Sequence, residues 1–261
     1  MSDAGKRTKV RRRDPRRHLI PKPEAVADGV WLLRGGLAKT MNVYLIEDRD
    51  SGGVVAFDAG EKGMAPAILL AARDLGGLRR VVLGHGDTDH RGSAPALRAA
   101  GAGTIPVEAH ADAKPYAEGR GGHEYWRPSL LPLPIRLVHW FLDRFAWDGG
   151  PVTIDRTLSE GDEVAGFRVI ELPGHAPGLI GLWRERDRLA LVTDALYLTD
   201  MWGRPQAPAL PVDAYNFDRA QAAASLAKLA ALDPLIVAPG HLGPLTGDDV
   251  GDVLRRVAEA G

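Results

Sequence analysis

Short apolar runs, each closed by glycine, proline or a charged pair, alternate along this chain with segments whose apolar positions recur at helical spacing. Gly29 to Leu33, Met41 to Ile46 and Val54 to Phe57 are β-favouring runs and predict an opening antiparallel meander that ends in Asp58-Ala59-Gly60. Pro66 to Leu75 is predicted helical, stopped by Gly76 and Gly77, and Arg79 to Leu83 is a short buried strand leading into Gly84-His85. Gly92 to Ala100 reads as a helix with Pro95 in its first turn. Ile105 to Ala109 is a further strand, which Pro106 confines to an edge or a strand start, with His110 at its end.

This rhythm breaks at residues 119–150. Gly119, Gly121, Gly122, Pro128, Pro132 and Pro134 stand there among Trp126, Trp140, Phe141, Phe145 and Trp147, and the segment is expected to be an inserted lid with an apolar inner surface. The same aromatic stripe also suits a homodimer contact or ordinary core. His123 and His139 fall in it, in settings that do not separate cavity lining from plain exposure. The pattern then resumes with strands at Val152 to Leu158, Phe167 to Leu172, Leu179 to Trp183 and Leu189 to Thr193. An alanine-rich helix follows from Asp218 to Leu232, capped by Asn216 or Asp218 and stopped by Pro234. Leu235 to Ala238 is the last strand, and Asp248 to Ala260 closes the chain as an amphipathic helix.

At 261 residues and 45% hydrophobic content the chain suits one large core. Cysteine is absent, so any metal must be held by nitrogen and oxygen. The longest apolar runs, Ala65 to Ala72 and Leu130 to Ile135, fall far short of the roughly 20 residues that cross a bilayer, and no secretory h-region follows the basic start. A cytoplasmic protein is expected. The net charge of -1 conceals an N-terminal tail, residues 1–20, that carries Lys6, Arg7, Lys9, Arg11, Arg12, Arg13, Arg16 and Arg17 against Asp3 and Asp14. No aromatic residue is interleaved for base stacking, so the expectation is a disordered leader rather than a nucleic-acid arm, followed by a single domain over residues 21–261.

The candidate chemistry lies at strand ends. In Gly84-His85-Gly86-Asp87-Thr88-Asp89-His90, four side chains with metal-binding atoms crowd one loop, and Gly86 permits the close approach this requires. Three more donors sit in similar settings: His175 after Pro173-Gly174, Asp194 after Leu191-Val192-Thr193, and His241 after Pro239-Gly240. Seven donors suit two metals with three ligands each and one carboxylate between them. The first would hold His85, Asp87 and His175, the second Asp89, His90 and His241, with Asp194 bridging. Asp58 is expected to support this cluster through hydrogen bonds, and Tyr197 to reach over it from the loop leaving the same strand as Asp194.

This constellation resembles the metallo-beta-lactamase superfamily, whose first motif has the form His-x-His-x-Asp-His. The resemblance spans roughly residues 28 to 245 and implies a four-layer αββα sandwich of two mixed sheets flanked by helices. It places the first motif on His85, Asp87, Asp89 and His90, the third-motif histidine on His175, the bridging aspartate on Asp194 and the final histidine on His241. The departure is Asp87, where most of the superfamily has histidine. Either Asp87 remains a ligand, which weakens Lewis acidity and favours harder ions, or it falls short and the first site is weak. Two divalent ions are expected, zinc foremost, with iron or manganese as the alternatives.

Two such ions would make a water nucleophilic near neutral pH and stabilise the oxyanion that develops, with Asp89 orienting the water. Lysine and arginine are scarce near the motifs apart from Arg91, whereas the segment 119–150 is rich in Trp, Phe and Leu. A small, neutral or partly apolar substrate is therefore expected: a lactone, thioester or other acyl ester. An iron-dependent oxidoreductase and a non-catalytic binding protein with a degraded first site are the competing classes.

Overall fold

The strands are apolar at consecutive positions because both faces of each sheet are covered. In the computed structural model, which describes residues 22–36, 39–121 and 124–261, Met41–Asp48 and Gly53–Phe57 bury nearly every side chain. Leu32, Tyr44, Ile46, Val55 and Phe57 pack toward a second sheet, whereas Leu33, Val43, Leu45, Val54 and Ala56 pack beneath helices. The basic tail, residues 1–20, and His123 lie outside the described residues.

The first sheet takes its strands in sequence order: β1 (Glu24–Ala27), β2 (Val30–Gly35), β3 (Met41–Asp48), β4 (Gly53–Phe57), β5 (Leu78–Val82), β6 (Val107–His110) and β7 (Arg156–Leu158). Strands β2, β3 and β4 form the expected antiparallel meander, β1 adds an unexpected fourth strand at its edge, and the last three add in parallel. From the second half of the chain come β8 (Glu163–Val164), β9 (Phe167–Glu171), β10 (Ile180–Arg184), β11 (Leu189–Thr193), the small hairpin β12 (Tyr197–Thr199) and β13 (Pro205–Ala209), then β14 (Ile236–Pro239) and β15 (Leu245–Thr246). The second sheet runs β15-β14-β11-β10-β9-β8, with β11 and β14 parallel and the other pairs antiparallel.

Helices α1 (Ala65–Asp74) and α3 (Ala94–Ala100), on either side of the short α2 (Thr88–Arg91), bury Ile68, Ala72 and Leu97 against the outer face of the first sheet. After α4 (Lys114–Ala117) and α5 (Leu133–Leu142), helices α6 (Arg219–Ala231) and α7 (Val250–Glu259) cover the outer face of the second sheet with Leu226, Leu229 and Leu254. Between the sheets Phe57, Phe167, Leu182 and Leu191 are fully buried. The architecture is an αββα sandwich of two mixed sheets.

Most expected elements form within two or three residues of their predicted ends, and Asp218 caps α6 by accepting from the Gln221 amide at 3.0 Å. The helix expected over Gly92 to Ala100 forms as α3, two residues later, with Pro95 in its first turn. Two differ. Val152 to Leu158 shortens to β7, with its first residues in irregular chain. Within residues 119–150 lies a true helix, α5, which runs on into a wider π turn over Asp143–Trp147. Pro132 occupies its N-cap position and Pro134 sits in its first turn, where the missing amide hydrogens have no helical partner anyway. No helix among the described residues is long and apolar enough to cross a membrane.

Leu182 lies at 0% exposure in the centre of the sandwich, away from the strand ends. Leu182→Ala is expected to cost about 2–5 kcal/mol of stability through the cavity it leaves. Denaturant unfolding measures this, and a loss below about 1 kcal/mol would contradict the assigned packing.

Candidate metal centre

The expected donors sit at or just beyond the ends of buried strands, on loops that are tied down by neighbouring elements. The amide of Gly84 donates to Asp58 Oδ1 at 2.7 Å and the Ile180 amide of β10 donates to the Gly84 carbonyl at 2.8 Å, which fixes the loop carrying His85. Asp87 occupies the N-cap position of α2 but makes no capping bond, so its carboxylate is turned into the pocket. The loop after β9 is held by the start of α6: the Phe217 amide donates to the His175 carbonyl at 2.9 Å, and Ser225 Oγ to the Pro173 carbonyl at 2.6 Å. Gly174 has φ 137°, and a Cβ there would overlap the Ala222 backbone nitrogen. The loop after β14 is bound to the first sheet, where Tyr44 Oη donates to the Pro239 carbonyl at 2.6 Å and the Asn42 amide to the Gly240 carbonyl at 2.8 Å. A Cβ on Gly240 would overlap Asp194 Oδ1 and stand 2.5 Å from His90 Cε1, so only glycine lets those two groups meet.

All seven donors converge. Ligand-type atoms of His85, Asp87 and His175 lie within 4.8 Å of one another, as do those of Asp89, His90 and His241, and those of His85, His90 and Asp194. Asp87 Oδ2 is 3.6 Å from His85 Nε2 and 3.5 Å from His175 Nε2. Asp89 Oδ2 is 3.4 Å from His241 Nε2. Asp194 stands between the groups, with Oδ1 3.2 Å from His90 Nε2, and Oδ2 3.7 Å from His175 Nε2 and 3.5 Å from His241 Nε2. Tyr197 donates to Asp194 Oδ2 at 3.0 Å, and its ring lies 5.9 Å from that of His175 and 6.0 Å from that of His241.

Hydrogen bonds behind the cluster fix which ring nitrogens face it. Asp58 Oδ2 accepts from His90 Nδ1 at 2.9 Å; a carboxylate can only accept, so Nδ1 carries a proton and Nε2 is the nitrogen that faces the pocket. Thr193 Oγ1 donates to the same oxygen at 2.8 Å and stands 3.2 Å from His85 Nδ1, which can therefore donate to the hydroxyl and leave its own Nε2 free. The sequence reading anticipates Asp58 but misses Thr193, whose only signal is its place immediately before Asp194. It also misses Tyr125, which donates to Asp87 Oδ1. No periodicity or motif marks that tyrosine.

The buried charges demand a cation. Burial acts to raise the carboxyl of Asp194, but the His90 and His241 rings beside it hold it well below the usual carboxylate range. Asp87 is likewise held well below it by His85 and His175 in spite of burial. Burial works against charge on His90, yet Asp194, Asp89 and Asp58 push it well above the ordinary imidazole value, and His241 is pushed up to about 10 by Asp194 and Asp89. Nε2 of His85, Nε2 of His90, both ring nitrogens of His175 and Asp194 Oδ1 are buried and make no hydrogen bond among the described residues. Such atoms cost about 1–3 kcal/mol each when unsatisfied. Imidazole nitrogens and carboxylate oxygens aimed at common points, with no thiolate among them, fit divalent cations.

The cluster forms the floor of a cavity of about 190 Å³ whose walls include Trp126, Val138, Leu142, Trp147, Met201 and Trp202. His139 lines it as well. Burial keeps this ring's basicity below its ordinary value, and the ring lies 3.1 Å from the Met201 carbonyl and 2.6 Å from Tyr215 Oη. His110 instead faces Glu171 at 3.2 Å and is not among the cavity-lining residues. Arg91 does not reach the cavity: its buried guanidinium bonds the Gly86 and Gly150 carbonyls and pairs with Asp148 at 2.9 Å. Of the aromatic stripe, Trp126 and Trp147 face the cavity, whereas Trp140, Phe141 and Phe145 are more than half exposed on the outer side of α5 and its π turn.

An αββα sandwich with a two-centre set of histidines and aspartates at its strand ends defines a metal-dependent enzyme. This chain belongs to the metallo-beta-lactamase superfamily, whose family model matches residues 40–241. It is 27% identical over 248 residues to the Bacillus subtilis protein named "Probable metallo-hydrolase YflN", across 87% of this chain and 89% of that one. Among solved structures it is similar to the metallo-beta-lactamase family protein TTHA1429 of Thermus thermophilus (TM-score 0.62, 25% identity, 90% of this chain and 79% of that one). It is also similar to TTHA1623 in a di-iron-bound form (TM-score 0.63, 25% identity, 87% of this chain and 97% of that one).

Because His90 and His241 are held protonated by the carboxylates around them, a divalent cation must displace protons to bind. Cation affinity is expected to rise with pH until His241 loses its proton, at about 10, with net proton release read by calorimetry in buffers of different ionisation enthalpy. Binding heats independent of the buffer would contradict this.

Proposed function

We propose that this chain is a hydrolase that uses two divalent cations to cleave a small, neutral or partly apolar ester-like substrate: a lactone, thioester or other acyl ester. One observation carries the reading: seven nitrogen and oxygen donors converge at one end of a cavity of about 190 Å³, five of them lining it and His85 and His90 buried behind, with apolar walls and no lysine or arginine among its described lining residues. That volume lies below the roughly 300–1,000 Å³ of drug-sized pockets, which favours a compact substrate. Without a cationic side chain in the walls, a polyphosphate would find no partner beyond the cations themselves.

His85, Asp87 and His175 are assigned to one cation and Asp89, His90 and His241 to the other, with Asp194 shared. Bound there, the ions supply Lewis acidity toward a substrate carbonyl and lower the pKa of water toward neutrality. Asp89, less deeply buried than Asp87 or Asp194, is assigned to orient the attacking water and carry its proton to the leaving group. Tyr197 has one hydroxyl proton and gives it to Asp194, so it holds that carboxylate in place; polarising a substrate carbonyl requires this bond to be exchanged when substrate enters. Trp126, Trp147 and the inner face of α5 exclude water from the cavity, the part assigned to residues 119–150.

Zinc is the first choice of cation. Iron is the second, favoured by the oxygen donor Asp87 and by the di-iron-bound form of the similar TTHA1623. Metal analysis of protein purified without added ions, paired with a lactone, thioester and ester panel, decides between them. Stoichiometric iron with oxygen consumption and no ester turnover would overturn the hydrolase. With hydrolysis established, His175→Ala and His241→Ala are each expected to lower kcat/KM by at least roughly 100-fold, about 2.7 kcal/mol of barrier. Turnover unchanged in both variants, or unaffected by chelator, would refute the metal-centre mechanism.

A further inference from the structure

Each imidazole that is anchored in this cluster follows one rule: the far atom of the side chain is held from behind, and the near atom faces the pocket. Asp58 holds His90 Nδ1 at 2.9 Å and leaves Nε2 forward; Thr193 stands behind His85 Nδ1 at 3.2 Å with the same result. Asp87 is the one first-motif position where the superfamily's usual side chain is replaced. A carboxylate has two equivalent oxygens, is shorter than an imidazole, and can turn about its last bond to offer either oxygen or both. Left to itself it would not reproduce a single forward-facing lone pair.

We infer that Tyr125 is the residue that makes Asp87 serve in place of a histidine: its hydroxyl holds Oδ1 from behind, so that Oδ2 alone is presented between His85 and His175. Tyr125 is only 7% exposed and donates to Asp87 Oδ1. The other oxygen stands 3.6 Å from His85 Nε2 and 3.5 Å from His175 Nε2, within the first group of three donors. The phenol is itself set by two edge-on ring contacts, to Tyr116 at 5.6 Å and Phe217 at 6.3 Å. Phe217 also donates its amide to the His175 carbonyl, so the tyrosine and the third donor of the group are positioned together. Tyr125 is thus a positioning residue, acting on the cation through Asp87. The inference rests on the assignment of these donors to a metal centre.

Zinc titration of the full chain after chelator treatment, with cobalt(II) absorption as a second probe, tests it. The wild type is expected to take up two ions. In Tyr125→Phe one ion binds as before and the other roughly 10–100-fold more weakly, the usual penalty for removing a partner behind a ligand, with the cobalt spectrum of that site altered. Tyr116→Phe, which removes a hydroxyl from the same ring stack, leaves both affinities unchanged. In an Asp87→His background, adding Tyr125→Phe changes affinity by less than about threefold, because the coupling between the two residues is gone. Wild-type titration by Tyr125→Phe, or an equal loss in the Asp87→His background, would overturn the role of Tyr125 while leaving the metal centre standing. A wild-type chain that takes up no second ion would instead overturn the metal centre, and this inference with it.

Discussion

Three carboxylates, Asp87, Asp89 and Asp194, are packed among four imidazoles in the interior, and that arrangement is tolerable only if positive charge sits among them. Hydrogen bonds alone do not offset the desolvation of so many acceptors. The rest of the molecule near the strand ends is arranged around that constraint. Asp58 and Thr193 set the tautomers of His90 and His85, Tyr125 and Tyr197 each occupy one carboxylate oxygen, and Gly240 gives up its side chain so that Asp194 and His90 can approach.

The sandwich supplies the rigidity this needs. Each sheet is buried on both faces, and the loops of His85 and His241 are bonded across the gap as well as within their own half. Ile180 of β10 holds the loop of His85, and Tyr44 and Asn42 of β3 hold the loop of His241. Side chains on such loops are placed by a framework that cannot shift without breaking buried hydrogen bonds.

Much of this is legible in the sequence because His85, His175, Asp194 and His241 each stand just beyond a short apolar run, and a run that is buried on both faces has few places to put its end. His85 after Val81-Val82-Leu83, Asp194 after Leu191-Val192-Thr193 and His241 after Val237-Ala238-Pro239 all follow that logic. What is not legible depends on contacts between distant segments. Tyr125 lies in an irregular stretch and meets Asp87 only because the chain after β6 folds back over the pocket. Helix α5 is hidden because its prolines read as breakers when they stand in its first turn, and because its outer face carries Leu133, Leu137 and Trp140 where a surface helix would carry charge. Arg91 is the basic residue nearest the motif in sequence, yet its guanidinium is spent on backbone carbonyls.

The division of the donors between the two sheets has a mechanical side. His85, Asp87, Asp89 and His90 come from loops of the first sheet, and His175, Asp194 and His241 from loops of the second. An ion held by His85 and His175, as proposed above, would be a removable cross-link that closes a long stretch of chain, restricting the unfolded ensemble as well as gripping the native one. In a fold whose halves are consecutive in sequence, the proposed reaction centre would also be the clasp.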